Sequence, residues 1–236
     1  MKIKYSIILW ILIMLNFSCE KQEMDIMIVE GYIKDDATKL PVAGITIHID
    51  AIKSPSGMGI ITDGKRKKAG ETVTDANGHY KVKLRVFEEA EMLEFWLNRG
   101  GTKKAFEDAQ RVAYLSDLNK DGHNRIDFDL TPLALLKINF RNVDPISNAD
   151  FFYFGWYTTN SGGSWGSVNE ENCGSVIPSE ARIWTGMDVC GSTTVRTAAE
   201  KSTSVYWTVK KNNITKEYNE SVFVKRGVLN EFTISY

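Results

Sequence analysis

Tyr80-Lys81-Val82-Lys83-Leu84-Arg85-Val86 decides the fold class. Four apolar side chains alternate with three cations across this stretch. In an extended strand successive side chains point to opposite faces, so the alternation puts the apolar set on a core and the cations in water. Helical spacing would scatter the cations over both faces. Upstream, Ile45, Ile47 and Ile49 alternate in the same way with Thr46, His48 and Asp50. Downstream, Ile126, Phe128 and Leu130 alternate with Asp127 and Asp129. Asp63-Gly64, Asn77-Gly78, Gly100-Gly101 and Asp121-Gly122 separate the runs and supply turn chemistry. Only Thr102 to Ala109 reads as a helical turn.

A second region begins near Leu133. Leu133 to Phe140, Phe151 to Thr158, Val205 to Val209, Ser221 to Lys225 and Glu231 to Tyr236 read as strands. Thr159 to Val168 is rich in Gly, Ser and Asn and reads as a loop. Short strands between turn signals predict an all-β chain of two β-sandwich domains, residues 26–131 and 132–236, divided at Thr131-Pro132. The 236 residues are 43% hydrophobic and 25% charged, enough to pack a core. A formal net charge of -1 offers no basic face for nucleic acid.

The N-terminus departs from this average. Lys2 and Lys4 precede an apolar run, Ile7 to Leu15, and then Leu15-Asn16-Phe17-Ser18-Cys19. Charged, apolar and processing segments in that order make residues 1–18 a secretory signal. The apolar run is shorter than the roughly 20 residues of a spanning helix. Ser18 is the small residue expected before a lipidated cysteine, so Cys19 is the candidate lipid attachment site and residues 19–25 a tether. The alternative is an ordinary signal cut near Ser18 that leaves Cys19 free. Of three cysteines, Cys19 on lipid leaves Cys173 and Cys190, a pair expected to bridge after export. Two unrelated buried thiols are the alternative. Without clustered histidines the pair does not complete a zinc site.

Leu15 to Cys19 resembles the looser lipobox of Bacteroidetes-type lipoproteins. That resemblance implies several acyl chains such as palmitate and an outer-membrane location facing the periplasm or the cell surface. Glu20 to Asp25 resembles the charged segments that direct some of these proteins outward. Three further pieces resemble the carboxypeptidase regulatory-like domain, a transthyretin-like, immunoglobulin-like sandwich. They are Val29-Glu30-Gly31-Tyr32-Ile33, Pro41-Val42-Ala43-Gly44-Ile45-Thr46-Ile47 and Thr74-Asp75-Ala76-Asn77-Gly78-His79-Tyr80. Asn77-Gly78 can supply the positive φ of a tight turn, and Asp75 can accept from its amides. The resemblance covers Ile26 to Leu130 and implies an accessory module, mainly structural, at times adhesive or ligand-contacting. The insert from Ser54 to Gly70 is longer and more basic than the family shows. His48, His79 and His123 are the only histidines and none has Glu three residues on, so no zinc-peptidase motif is present.

Other motifs are weaker. Gly162-Gly163-Ser164-Trp165-Gly166 matches G-x-S-x-G, but no histidine follows position 123 to complete a triad. Gly59 to Lys65 nearly matches a phosphate loop, with Arg66 where a hydroxyl should hold magnesium. Lys65-Arg66-Lys67-Lys68 reads as a solvated turn, with anionic glycan or lipid headgroups as the functional alternative. Asp117, Asn119 and Asp121 before Gly122 form the first half of a calcium loop, with Asp127 as a fourth candidate oxygen ligand. An ordinary Asp-Gly turn is the alternative, because Phe128 occupies the position of the closing Glu. No cofactor is required, and calcium is the one candidate metal.

Trp156, Tyr157, Trp165, Trp184, Tyr206 and Trp207 crowd the second region. Exposed rings stack on sugar faces, which makes Trp165, Trp156 and Tyr157 candidate glycan contacts. Core packing is the alternative for Trp156 and Trp207. The expectation is a non-enzymatic envelope lipoprotein, a structural or interaction module. Its partners would be the membrane through the anchor and an envelope protein or glycan, with no nucleic acid. A glycan-binding accessory protein of surface polysaccharide uptake is the second reading. No nucleophile, acid and base set can be assembled for an enzyme.

Overall fold

The computed structural model describes residues 24–55, 64–101, 104–120, 122–158, 167–175 and 182–236. Among them sixteen strands form four sheets. In the first half, β1 (Met24–Asp35) lies between β4 (His79–Phe87) on one side and β7 (His123–Arg125) and β8 (Phe128–Leu130) on the other. The facing sheet runs β3 (Lys65–Val73), β2 (Thr46–Lys53), β5 (Met92–Leu97), β6 (Ala109–Tyr114). The second half pairs β12 (Ile183–Thr185), β10 (Phe151–Thr158), β14 (Lys201–Lys211) and β15 (Ile214–Val224) in one sheet. Its other sheet is β11 (Ser167–Asn172), β13 (Cys190–Ala198), β9 (Leu133–Arg141), β16 (Leu229–Ser235). The protein is an all-β sandwich fold.

The alternation in the sequence becomes the inside and outside of these sheets. Tyr80, Leu84 and Val86 are buried, as are Ile45, Ile47 and Ile49, whereas Lys81, Lys83 and Arg85 face water. Val82 is only partly buried and packs at the margin of the core. Buried apolar residues gather into two clusters, one drawn from Met27 to Leu130 and the other from Ala134 to Ile234. Each burial of a large aliphatic or aromatic side chain contributes about 1.5–3 kcal/mol before entropy is counted. The turn at Asp75 is built as its residues suggest. Asp75 Oδ1 accepts the Asn77 and His79 amides at 2.8 and 2.9 Å, and Gly78 sits at φ 71°. A Cβ at Gly78 would lie 2.6 Å from the Ile33 carbonyl oxygen, so the turn packs too closely on β1 for any side chain.

Three local expectations change. The described part of Thr102–Ala109 is not helical: Phe106 bridges to Pro132, and Ala109 opens β6. Lys65 to Lys68 is a strand, not a turn, because β3 pairs with β2 from Thr46↔Val73 to Lys53↔Lys65. Ser167 and Val168, read as loop, begin β11 against β13.

The two halves meet at one end of each. Junction residues of the second half cluster where β9 starts and where β13 turns into β14 and β15 into β16, as the pairs Ala198↔Leu133 and Lys201↔Val224 require. The first half offers Asp35 and Asp36, which end β1. Arg226 binds Asp35, and Lys201 binds Asp36 at 2.5 Å. The backbone adds Leu133 N–H to Ala105 O at 2.8 Å. Arg226 also lies 5.8 Å over the Phe106 ring. Met24 and Asp25, expected in the tether, already open β1, and Asp35 ends it, so the junction lies at the C-terminal end of this twelve-residue strand.

Candidate functional site

The solvent face of the sheet β12-β10-β14-β15 carries a row of tyrosines. In β10, Phe152, Phe154 and Trp156 turn inward, which leaves Tyr153, Gly155 and Tyr157 outward. In β14, Val205, Trp207 and Val209 turn inward, which leaves Ser204, Tyr206 and Thr208 outward. Register then places Gly155 opposite Tyr206, Tyr157 opposite Ser204, and Asn219 of β15 on the other side of Tyr206.

Gly155 makes the row possible. A Cβ there would sit 2.3 Å from the Tyr206 hydroxyl oxygen and 2.4 Å from its ring carbon Cζ. The missing side chain lets the Tyr206 ring lie across the backbone of β10, between its two neighbours. Tyr153 and Tyr157 flank it with centroids 6.1 Å away on each side. The planes are tilted, at 54° to Tyr153 and 45° to Tyr157. Such edge-to-face geometry suits ring quadrupoles and keeps part of each face open.

The hydroxyls are tied into the sheet. Tyr153 and Tyr206 share a hydrogen bond at 3.4 Å. That bond, together with burial, raises the Tyr206 pKa above the usual phenol value. Ser204 and then Asn219, as hydrogen-bond donors to the Tyr157 oxygen, lower its pKa instead. Tyr157 is 43% exposed, and Tyr153 and Tyr206 are half-buried. Thr208 and Ser221 extend the row with hydroxyls, and Glu217 lies opposite Thr208. At the other edge Arg182 lies 4.2 Å over the Trp156 ring and within electrostatic reach of Tyr206.

The candidate residues from the sequence fall in different places. Tyr157 belongs to this row. Trp156 does not: it is 4% exposed, because alternation along β10 sends it into the core, and its ring cannot meet a glycan from solvent. Trp165 and Cys19 lie outside the described residues, as do Gly162 to Gly166 and Asp121. Cys173 and Cys190 form the disulfide, with Cα atoms 5.1 Å apart. Of the calcium candidates, Asp117 accepts the Ser116 hydroxyl at 3.1 Å, and the Asn119 backbone pairs with Asn124. Asp127 is engaged elsewhere, with Arg125 at 3.0 Å and the Tyr32 amide at 2.9 Å. Although burial works against it, these partners hold the Asp127 carboxyl below the usual range. Among the described residues no three His, Cys, Asp or Glu side chains gather to hold a metal. The basic run is matched by acids: Arg66 binds Asp50 and Glu94, Lys65 lies 3.8 Å from Glu89, and Lys68 lies 2.6 Å from Glu71. Sequence reasoning missed Tyr153 and the central place of Tyr206, which depend on pairing strands far apart in the chain.

No protein-family model matches this chain, and no curated protein matches it. Similar solved structures include the shaft pilin spaA from Lactobacillus rhamnosus GG, at 10% identity over 90% of this chain and 97% of that one, TM-score 0.33. The major pilin subunit BcpA of Bacillus cereus is similar at 14% identity over 84% and 69% of the two chains, TM-score 0.29. An (S)-allantoin synthase is similar at 15% identity over 47% and 44%, TM-score 0.31. Scores of this size carry no functional weight, and the sandwich architecture stands on the strand pairing itself.

Proposed function

We propose that this protein is a lipid-tethered, non-enzymatic interaction module of the bacterial cell envelope, held at Cys19 and facing the periplasm or the cell surface. The observation that carries this reading is the junction. Two charged pairs and the Leu133–Ala105 backbone hydrogen bond fasten the second sandwich to the first at the end remote from the tether. Strand β1 begins at Met24, so Glu20 to Glu23 reach at most about 15 Å when extended. Along β1 the rise of about 3.3 Å per residue then sets the junction some 36 Å further on. The first sandwich acts as a stalk and the second as a head whose outer sheet face meets partners. Acylation at one cysteine with more than one chain gives stable anchoring.

The test is fractionation of cells with Cys19 and with Cys19→Ala, with labelled palmitate in the medium. The reading expects label and membrane retention for Cys19 and neither for the variant. A labelled Cys19→Ala chain, or an unlabelled wild type free of membranes, would defeat it. A second reading, a glycan-binding accessory protein, is favoured by one observation: the tyrosine row on the head.

A further inference from the structure

We propose that Tyr153, Tyr206 and Tyr157 bind a single uncharged polysaccharide chain laid along the outer face of β10 and β14. The inference deepens the glycan-binding reading and rests on it, but it holds whether or not Cys19 is acylated.

The ligand class follows from the chemistry of the face. Pyranose rings present C–H surfaces to aromatic faces and hydroxyls to polar side chains. The row offers both in register: three rings in succession, with Asn219 and Thr208 beside them. Along this strip the outward side chains of β10 and β14 from Tyr153 to Thr208 are rings, hydroxyls or hydrogen. The strip carries no charge of its own: Glu217 and Arg182 stand at its two edges and Lys210 beyond its Thr208 end. It therefore complements a neutral chain of hydroxyls.

The ring geometry narrows the class further. From Tyr153 to Tyr157 the strand advances about 13 Å, room for a short run of sugar rings and more than a single one needs. Successive planes are turned by 54° and 45°. A crystalline polysaccharide surface presents coplanar rings and can rest on only one of these tyrosines at a time. A free chain, whose rings rotate about each linkage, can meet all three. Preorganisation favours binding: Gly155 seats the central ring, and the hydroxyl bond between Tyr153 and Tyr206 ties that ring to its neighbour.

The experiment is affinity electrophoresis of the leader-free chain in gels containing hydroxyethylcellulose, xylan, galactomannan or amylopectin. Pull-downs on microcrystalline cellulose and chitin accompany it. Tyr206→Ala, Tyr206→Phe and Tyr114→Ala are compared with wild type, and thermal melts confirm that each variant is folded. Tyr114 is an exposed tyrosine of the first sandwich and serves as the control. The expected result is retardation by at least one soluble polysaccharide and none on the insoluble ones. Tyr206→Ala should weaken it at least tenfold, Tyr206→Phe only partly, and Tyr114→Ala not at all. Retardation untouched by Tyr206→Ala would overturn the assigned site while leaving glycan binding in place. Equal retention on the crystalline supports would overturn the single-chain ligand. No retardation by any of the four would overturn the site and the glycan-binding reading together.

Discussion

Arg226→Ala removes the cation from the most enclosed charge at the junction. Asp35 is 4% exposed along its side chain, whereas Arg226 is 36% exposed. The Asp35 carboxylate also accepts the Ala37 and Thr38 amides at 2.9 and 3.0 Å. Burial alone would raise its pKa, but the Thr38 amide, the Arg226 guanidinium and the Ala37 amide together hold it below the usual carboxyl range. Breaking a fully buried pair costs about 3–5 kcal/mol, and an exposed pair is worth no more than about 1. Asp35 keeps two amide donors after the substitution, so the loss falls between these limits, at about 2 kcal/mol. The contact of Arg226 with the Phe106 ring adds about 0.5 kcal/mol to it. For a chain of this size the two together correspond to a Tm lower by roughly 5–10 °C. Calorimetry of the leader-free chain measures it. If the junction couples the sandwiches, wild type melts in one transition and Arg226→Ala lowers or splits it. A double-mutant cycle with Asp35→Asn should recover a coupling above about 0.5 kcal/mol. A variant that melts within 1 °C of wild type, about the scatter of such measurements, in one transition, would refute the reasoning.

Further outcomes follow from other features. Replacing Cys173 and Cys190 by Ser should cost about 3 kcal/mol, the chain-entropy value for a loop of this length, and dithiothreitol should reproduce the loss in urea denaturation of wild type. Gly155→Ala forces the Tyr206 ring off β10, so affinity electrophoresis should show weaker polysaccharide binding with little change in Tm. Asp35 and Asp150 both titrate below the ordinary carboxyl range, Asp150 through the Ile146 amide, Asn142 and Ser147 against the opposing effect of burial. The unfolded chain then binds more protons than the folded one. The stability these carboxylates contribute is complete above the ordinary carboxyl pKa of about 4 and is lost as pH falls through their lower folded values. Melting curves between pH 7 and pH 2 should show the decline, and Asp35→Asn should flatten part of it.

Much of the fold was legible because burial follows hydropathy where strands alternate. Tyr80 to Val86 announces both its strand and its inward face, and Phe151 to Thr158 announces its strand. The basic strand β3 was not legible. Four of its nine residues are cations, Arg66 paired with Asp50 on β2 and Glu94 on β5, and Ala69 alone is buried. Strand β13 was hidden for another reason. It buries Ser192, Thr193 and Thr197, polar residues whose burial no hydropathy pattern reports. Thr197 is satisfied by Thr158 and Thr203 at 2.6 and 2.8 Å. The tyrosine row escaped because it exists only once Gly155 pairs with Tyr206, a register fixed by long-range strand order. The junction pair Asp35 and Arg226 lies farther apart still, at a separation of 191 residues.

Residual dipolar couplings from the leader-free chain in a dilute aligned medium test most directly whether head and stalk form one body. Amide vectors of β1, β2, β4 and β5 report on the first sandwich, and those of β9, β10, β13 and β14 on the second. A rigid junction requires one alignment tensor to fit both sets, with the relative orientation seen in the structure. Two tensors of different magnitude, with each sandwich fitting well by itself, would mean that the halves swing independently and that the stalk-and-head account is wrong.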